Sequence, residues 1–152
     1  MRYRRLIAIV LVAMVAGACS AGSSSSAPGS PAASAPISGA ATRVEIKLTD
    51  SFRMEPSAFR VPAGRAVTFV VTNSGAIDHE FYVGDEAAQM AHAKSMPSMG
   101  GMGQDVANGL ALKPGQTKEL VVTFDTPGTT IAGCHEPGHY GAGMRANIEI
   151  VS

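Results

Sequence analysis

The chain has 152 residues, with 12 basic and 12 acidic side chains and a formal net charge of zero. That balance leaves no basic stripe to hold nucleic acid. Four histidines and two cysteines are too few for a site that needs many imidazoles or a dense disulfide network.

In chain order, Arg2, Arg4 and Arg5 form a basic start, and Leu6 to Ala18 is an unbroken apolar run ending in small residues. The run is short for a bilayer span and has the length of a secretory core segment, so residues 1–19 read as a signal peptide. It closes on Ala16-Gly17-Ala18-Cys19-Ser20, which resembles a bacterial lipobox, although Ala16 stands where leucine is usual. The resemblance implies that Cys19 becomes a lipidated first residue, which would make the protein exported and membrane-anchored, facing the periplasm or exterior. Ordinary signal-peptidase cleavage nearby is the alternative. Residues 20–41 are almost all Ser, Ala, Gly and Pro, too poor in apolar surface to offset the entropy of ordering, and read as a flexible tether. Contact with the membrane is thus expected through the lipid alone. Without Arg2, Arg4 and Arg5, nine basic residues face twelve acidic ones, so the remainder is mildly acidic.

Residues 42–152 suffice for one small domain. Period-two alternation dominates it. Val44, Ile46 and Leu48 share a face, as do Val67, Phe69 and Val71 in a strand ending at Asn73. A short strand, Glu80 to Val83, follows His79. Thr117 to Phe124 alternates again, Thr129 to Cys134 reads as the next strand, and Met144, Ala146, Ile148 and Ile150 mark the last. Turn residues such as Pro62-Ala63-Gly64, Lys113-Pro114-Gly115 and Thr126-Pro127-Gly128 separate the runs. Many short strands and little helix predict an all-β Greek-key sandwich or barrel. Asp85 to Asn108 breaks the pattern: Glu86 to Lys94 suits two helical turns, and the Met-, Gly- and Pro-rich Ser95 to Gly103 should be irregular.

The chemistry concentrates in Cys134-x4-His139-x4-Met144, on a loop between two strands, with His79 on an earlier one. Cys134 is the only cysteine of the domain, although an exported protein meets conditions that permit disulfides. A lone thiol there is a liability unless something occupies it, and a metal would. A thiolate, two imidazoles and a weak thioether form a donor set that both Cu(I) and Cu(II) accept. A Pro137-Gly138 turn would bring His139 back beside Cys134, and His79 must arrive from a neighbouring strand.

On this loop, and on Asp78-His79-Glu80-Phe81, residues 42–152 resemble a cupredoxin, the family of plastocyanin and azurin, with a loop most similar to rusticyanin and auracyanin. The resemblance implies an eight-stranded Greek-key sandwich carrying one type 1 copper at one end. It implies equatorial ligands at His79, Cys134 and His139 and a long axial one at Met144. Many members place asparagine after the first ligand histidine, where its side chain braces the cysteine loop; Glu80 stands there instead. His135, next to the cysteine, is expected to point away from Cys134 and to be solvated or hydrogen-bonded. A multicopper oxidase would need His-x-His pairs that the sequence lacks, so no enzyme is expected.

Single-electron transfer is the leading expectation, with an unidentified redox protein as partner, His139 as the port and the protein as a monomer. The alternative is an extracytoplasmic copper carrier or reserve exchanging the ion with a donor or acceptor. Met90, His92, Met96, Met99 and Met102 crowd the insertion. Soft thioethers and imidazole can hold Cu(I), so these five are candidates for an auxiliary copper site. An apolar cover and an adaptable partner surface are the competing readings.

Overall fold

The computed structural model describes residues 40–96 and 103–152. The signal segment, Cys19, the tether up to residue 39, Met99 and Met102 lie outside the described residues.

Nine strands and one helix follow one another among the described residues. They are β1 (Arg43–Thr49), β2 (Arg53–Glu55), β3 (Ala58–Pro62), β4 (Ala66–Asn73), β5 (His79–Gly84), α1 (Glu86–Ser95), β6 (Gly109–Leu112), β7 (Thr117–Thr123), β8 (Gly128–Gly133) and β9 (Arg145–Val151). They form two sheets, one ordered β2-β1-β4-β7 and the other β3-β9-β8-β5-β6. The pairs β1–β4 and β3–β9 are parallel and the remaining neighbours antiparallel. No described helix is long and apolar enough to cross a membrane.

The alternation read from the sequence is what closes the sandwich. Val44, Ile46 and Leu48 of β1 and Val67, Phe69 and Val71 of β4 bury their side chains against Ala146, Ile148 and Ile150 of β9 and their neighbours. Phe69 sits among Phe59, Phe81 and Phe124, with ring centroids 5.4–6.5 Å apart in the tilted and edge-on arrangements that aromatic quadrupoles favour. Three strands went beyond the sequence reading. β2 has only three residues, β6 has only four and is buried at all but Ala111, and β3 ends in the Val61-Pro62 that reads as a turn. Proline is tolerated there because β3 is the edge strand of its sheet.

Helix α1 is one residue longer than expected. Its start is fixed by Asp85, whose side chain accepts a hydrogen bond from the Ala88 N–H. Good helix formers fill it, and Glu86 and Lys94 lie at the ends that suit the helix dipole. Gln89, His92 and Met96 are its buried side.

The segment leading into β5 is set by one buried amide. Asn73 donates from Nδ2 to the carbonyls of Ile77 (2.8 Å) and Leu112 (3.0 Å), and its Oδ1 accepts from the Gly75 N–H (2.9 Å). Leu112 is the cross-strand partner of His79, so Asn73 ties the end of β4 to the backbone beside that histidine. Asn73→Ala would leave these buried groups unpaired and is expected to cost about 1–3 kcal/mol in denaturant unfolding of the apoprotein. Val121→Thr, on the exposed face of β7, should change stability by less than about 0.5 kcal/mol. Equal midpoints for the two variants would remove this role for Asn73.

Candidate metal centre

Topology brings the cluster together. β5 runs antiparallel to β8 and β8 to β9, so the start of β5, the end of β8 and the start of β9 lie at one end of the sandwich. His79 opens β5, Cys134 follows the last residue of β8, and Met144 precedes the first of β9. The expected strand ends were each one residue off at Cys134 and Met144. The backbone still joins them, because the Cys134 N–H donates to the Met144 carbonyl at 3.1 Å.

The intervening loop folds on itself. The His139 N–H donates to the Glu136 carbonyl at 3.0 Å, and Gly138 lies at φ +85°. This is the tight turn expected at Pro137-Gly138, and its third position needs a positive φ that glycine adopts without strain. Bonds from the Ala142 and Gly143 N–H groups to the Gly138, His139 and Tyr140 carbonyls follow, and the Met144 N–H returns to the His139 carbonyl at 3.0 Å. Gly133 is dictated by space: a side chain there would meet Gln89 Oε1 at 2.6 Å and the Tyr140 ring at 2.7 Å.

One donor atom from each of His79, Cys134 and His139 lies within 4.8 Å of the others. The three residues are 1, 0 and 7 % exposed. Cys134 Sγ is 3.3 Å from His139 Nδ1 and accepts the Glu80 N–H at 3.3 Å. The two imidazole rings are 5.1 Å apart, and Phe52 lies against His139 at 4.5 Å. Met144 is fully buried.

Burial governs the protonation of these groups. It pushes the Cys134 thiol up to about 12 and lowers both His79 and His139 below the usual histidine value, so both rings are neutral donors near neutral pH. His79 is the clearest sign that something is meant to bind. Both of its ring nitrogens are buried without a hydrogen-bond partner. Asp50 Oδ1 lies 3.4 Å from Nε2 but is not aligned to bond it; that carboxylate accepts instead from the Ala76 N–H at 2.8 Å, which holds it below its usual range. Buried polar atoms left without partners cost free energy. A copper ion accepted by one thiolate and two neutral imidazoles would satisfy all three groups at once, and this donor set fits it.

The remaining histidines are committed elsewhere. His135 stacks on Tyr140 at 4.5 Å and pairs its Nε2 with Gln89 Oε1 at 2.6 Å; burial brings it down to about 4. It is the hydrogen-bonded residue expected. His92 stacks on Tyr82 at 3.9 Å, and its Nε2 is 2.6 Å from Glu80 Oε1. Of the auxiliary candidates, Met90 is exposed and Met96 and His92 are buried, while Met99 and Met102 fall outside the described residues. The structure therefore does not gather the described three at a common exposed point.

Four contributors were not visible in the sequence. Phe52 reaches His139 from a left-handed backbone position, φ 57°, that nothing in its neighbourhood announces. Asp50 looks like an ordinary turn residue. Gln89 looks like a surface helix residue, yet its Nε2, with two hydrogens, lies 3.0–3.2 Å from the carbonyl oxygens of Tyr82, Gly84 and Ile131. Glu80 stood out only as a departure; it is fully buried, and its Oε2 accepts the His135 N–H at 3.1 Å.

Comparison with known proteins agrees with this geometry. The chain is 42% identical over 84 residues to the copper-resistant cuproprotein CopI of Vibrio cholerae, a match covering 55% of this chain and 50% of that one. It is 32% identical over 111 residues to the protein of the same name from Rubrivivax gelatinosus, covering 73% and 67%. The chain thus spans about half to two thirds of the length of these two relatives. The fold is similar to that of the reduced auracyanin of Roseiflexus castenholzii, with a TM-score of 0.66 and 23% identity over 75% of this chain and all of that one. Residues 40–151 match the model of the copper binding proteins of the plastocyanin/azurin family, and with the fold and donor set in agreement the chain belongs to that cupredoxin family.

Proposed function

We propose that the chain holds one copper ion on His79, Cys134 and His139, with Met144 as a weak axial ligand, and passes single electrons through it. The observation that carries this reading is the convergence of three buried donors within 4.8 Å, one of them an imidazole with both nitrogens unpartnered. Bound copper would supply a Cu(II)/Cu(I) couple and lower the pKa of the thiol by direct bonding to its sulfur.

The protein's own groups suit retention of the ion in a site that changes little between states. Backbone bonds fix Cys134 to Met144 and Met144 to His139. The core closes behind the sulfur, and only the His139 side retains slight exposure. His139 with Phe52 therefore makes a short route to a redox partner, which is also where a docking protein would approach. His92 and His135 are bonded to Glu80 and Gln89, which favours a single metal and no bond-making chemistry on a substrate. In this reading the protein works outside the cytoplasm, on a lipid-modified Cys19.

A copper carrier or reserve is the second reading, favoured by relatives that are named for copper resistance. The two differ in what moves. An electron carrier keeps its copper and exchanges electrons quickly with its own other redox state, whereas a carrier gives the ion up to an acceptor.

Cu(II) added to the apoprotein should give an intense visible band from thiolate-to-copper charge transfer, and Cys134→Ser should remain nearly colourless while folded. A folded, colourless wild type would refute the site. Cu(I) titration should saturate at one ion per chain, unchanged when Met90, Met96, Met99 and Met102 are all replaced by Leu. A second equivalent lost in that variant would favour the carrier reading. Rapid electron self-exchange, measured by NMR line broadening in mixed redox states, with slow loss of copper to a chelator, is the expected pattern. The reverse pattern would replace electron transfer by copper delivery.

A further inference from the structure

Glu80 lies directly after His79 and touches the cysteine loop twice. Its N–H donates to Cys134 Sγ at 3.3 Å, and its carboxyl Oε2 accepts the His135 N–H at 3.1 Å. The other oxygen, Oε1, is held by His92 Nε2 at 2.6 Å. His92 is in turn fixed face to face on Tyr82, with centroids 3.9 Å apart and planes 4° from parallel.

His92 belongs to helix α1, and it does not act alone. Three residues earlier, Gln89 pairs with the His135 ring at 2.6 Å, and three earlier again Glu86 accepts the Tyr140 hydroxyl at 3.2 Å. Positions 86, 89 and 92 lie along one side of a helix, so a single helical face grips consecutive parts of the loop that carries Cys134 and His139. A carboxyl buried to 0 % exposure is costly unless each oxygen is bonded, and here each is.

We propose that helix α1 is a brace for the copper centre, in which Glu80, held by His92, pins the Cys134–His135 peptide and thereby sets the Cu(II)/Cu(I) balance. The inference rests on the copper reading above. Glu80 and His92 are positioning residues: they hold the sulfur's backbone and make no bond to the metal. Outer partners of this kind orient metal ligands and tune the ion they hold. The Glu80 carboxyl sets its oxygen lone pairs on the peptide directly after Cys134, and electron-rich oxygens around a centre favour the more highly charged copper state.

The test uses the full chain as Glu80→Ala, Glu80→Gln and His92→Phe, each loaded with copper. The readouts are the charge-transfer spectrum, the Cu(II) electron paramagnetic resonance signal, and competition of Cu(I) and Cu(II) with chelators. Glu80→Ala should alter the band and lower the Cu(II)/Cu(I) affinity ratio about tenfold, a rise of ~59 mV in potential for a one-electron couple. Glu80→Gln keeps an oxygen for the His135 N–H and should restore most of the wild-type signature. His92→Phe preserves the stack on Tyr82 but frees Oε1, so it should shift the spectrum in the same direction; it carries the test if Glu80→Ala does not fold. Wild-type spectra and affinity ratios in folded Glu80→Ala or His92→Phe would overturn the brace while leaving the copper site intact. Absence of a charge-transfer band in the wild type would overturn both.

Discussion

The burial of one sulfur atom is the constraint that the rest of the domain answers to. Cys134 sits at the end of the sandwich with no exposed surface, and desolvation pushes its thiol up to about 12. Two imidazoles share that space, one with no hydrogen-bond partner of its own. An apolar core gains nothing from such a group of polar atoms, and a copper ion shared among them would convert a desolvation cost into bonds. Occupancy of this cluster by metal would then be linked to the stability of the folded protein, since an ion that binds only the native state stabilises it.

Two different structural devices hold the donors. The sandwich supplies the coarse placement, because two antiparallel pairings bring the start of β5, the end of β8 and the start of β9 to one end. The loop and helix α1 supply the fine placement. Loop bonds close residues 134–144 into a compact turn, while Gln89 and His92 reach it from the helix through His135 and Glu80. The insertion between β5 and β6, which interrupts the β pattern, thus contributes directly to the surroundings of the copper site.

The parts legible in the sequence were those governed by local periodicity or by unmistakable spacing. Alternation in Val67 to Asn73 and in the final strand located two core strands, and Cys134-x4-His139-x4-Met144 located the loop. Strands β2 and β6 escaped because three or four residues carry too little alternation, and β3 because Pro62 ends it. The surroundings of the donors escaped for another reason. Phe52 and Asp50 from the β1–β2 turn, Gln89 from the helix and the two oxygens of Glu80 meet the site only through tertiary pairing, and no spacing rule connects them. Glu80 showed the limit well: its departure from the family's asparagine was visible, and its bond to His92 was not.

The central claim is that the Cys134 sulfur and the rings of His79 and His139 share one copper ion. Copper K-edge X-ray absorption on the loaded protein reads that directly. The account predicts one short copper–sulfur bond and two imidazole nitrogens around a single copper, with little change in these distances between the oxidised and reduced states. A shell of nitrogen and oxygen alone, with no sulfur scatterer, would contradict it.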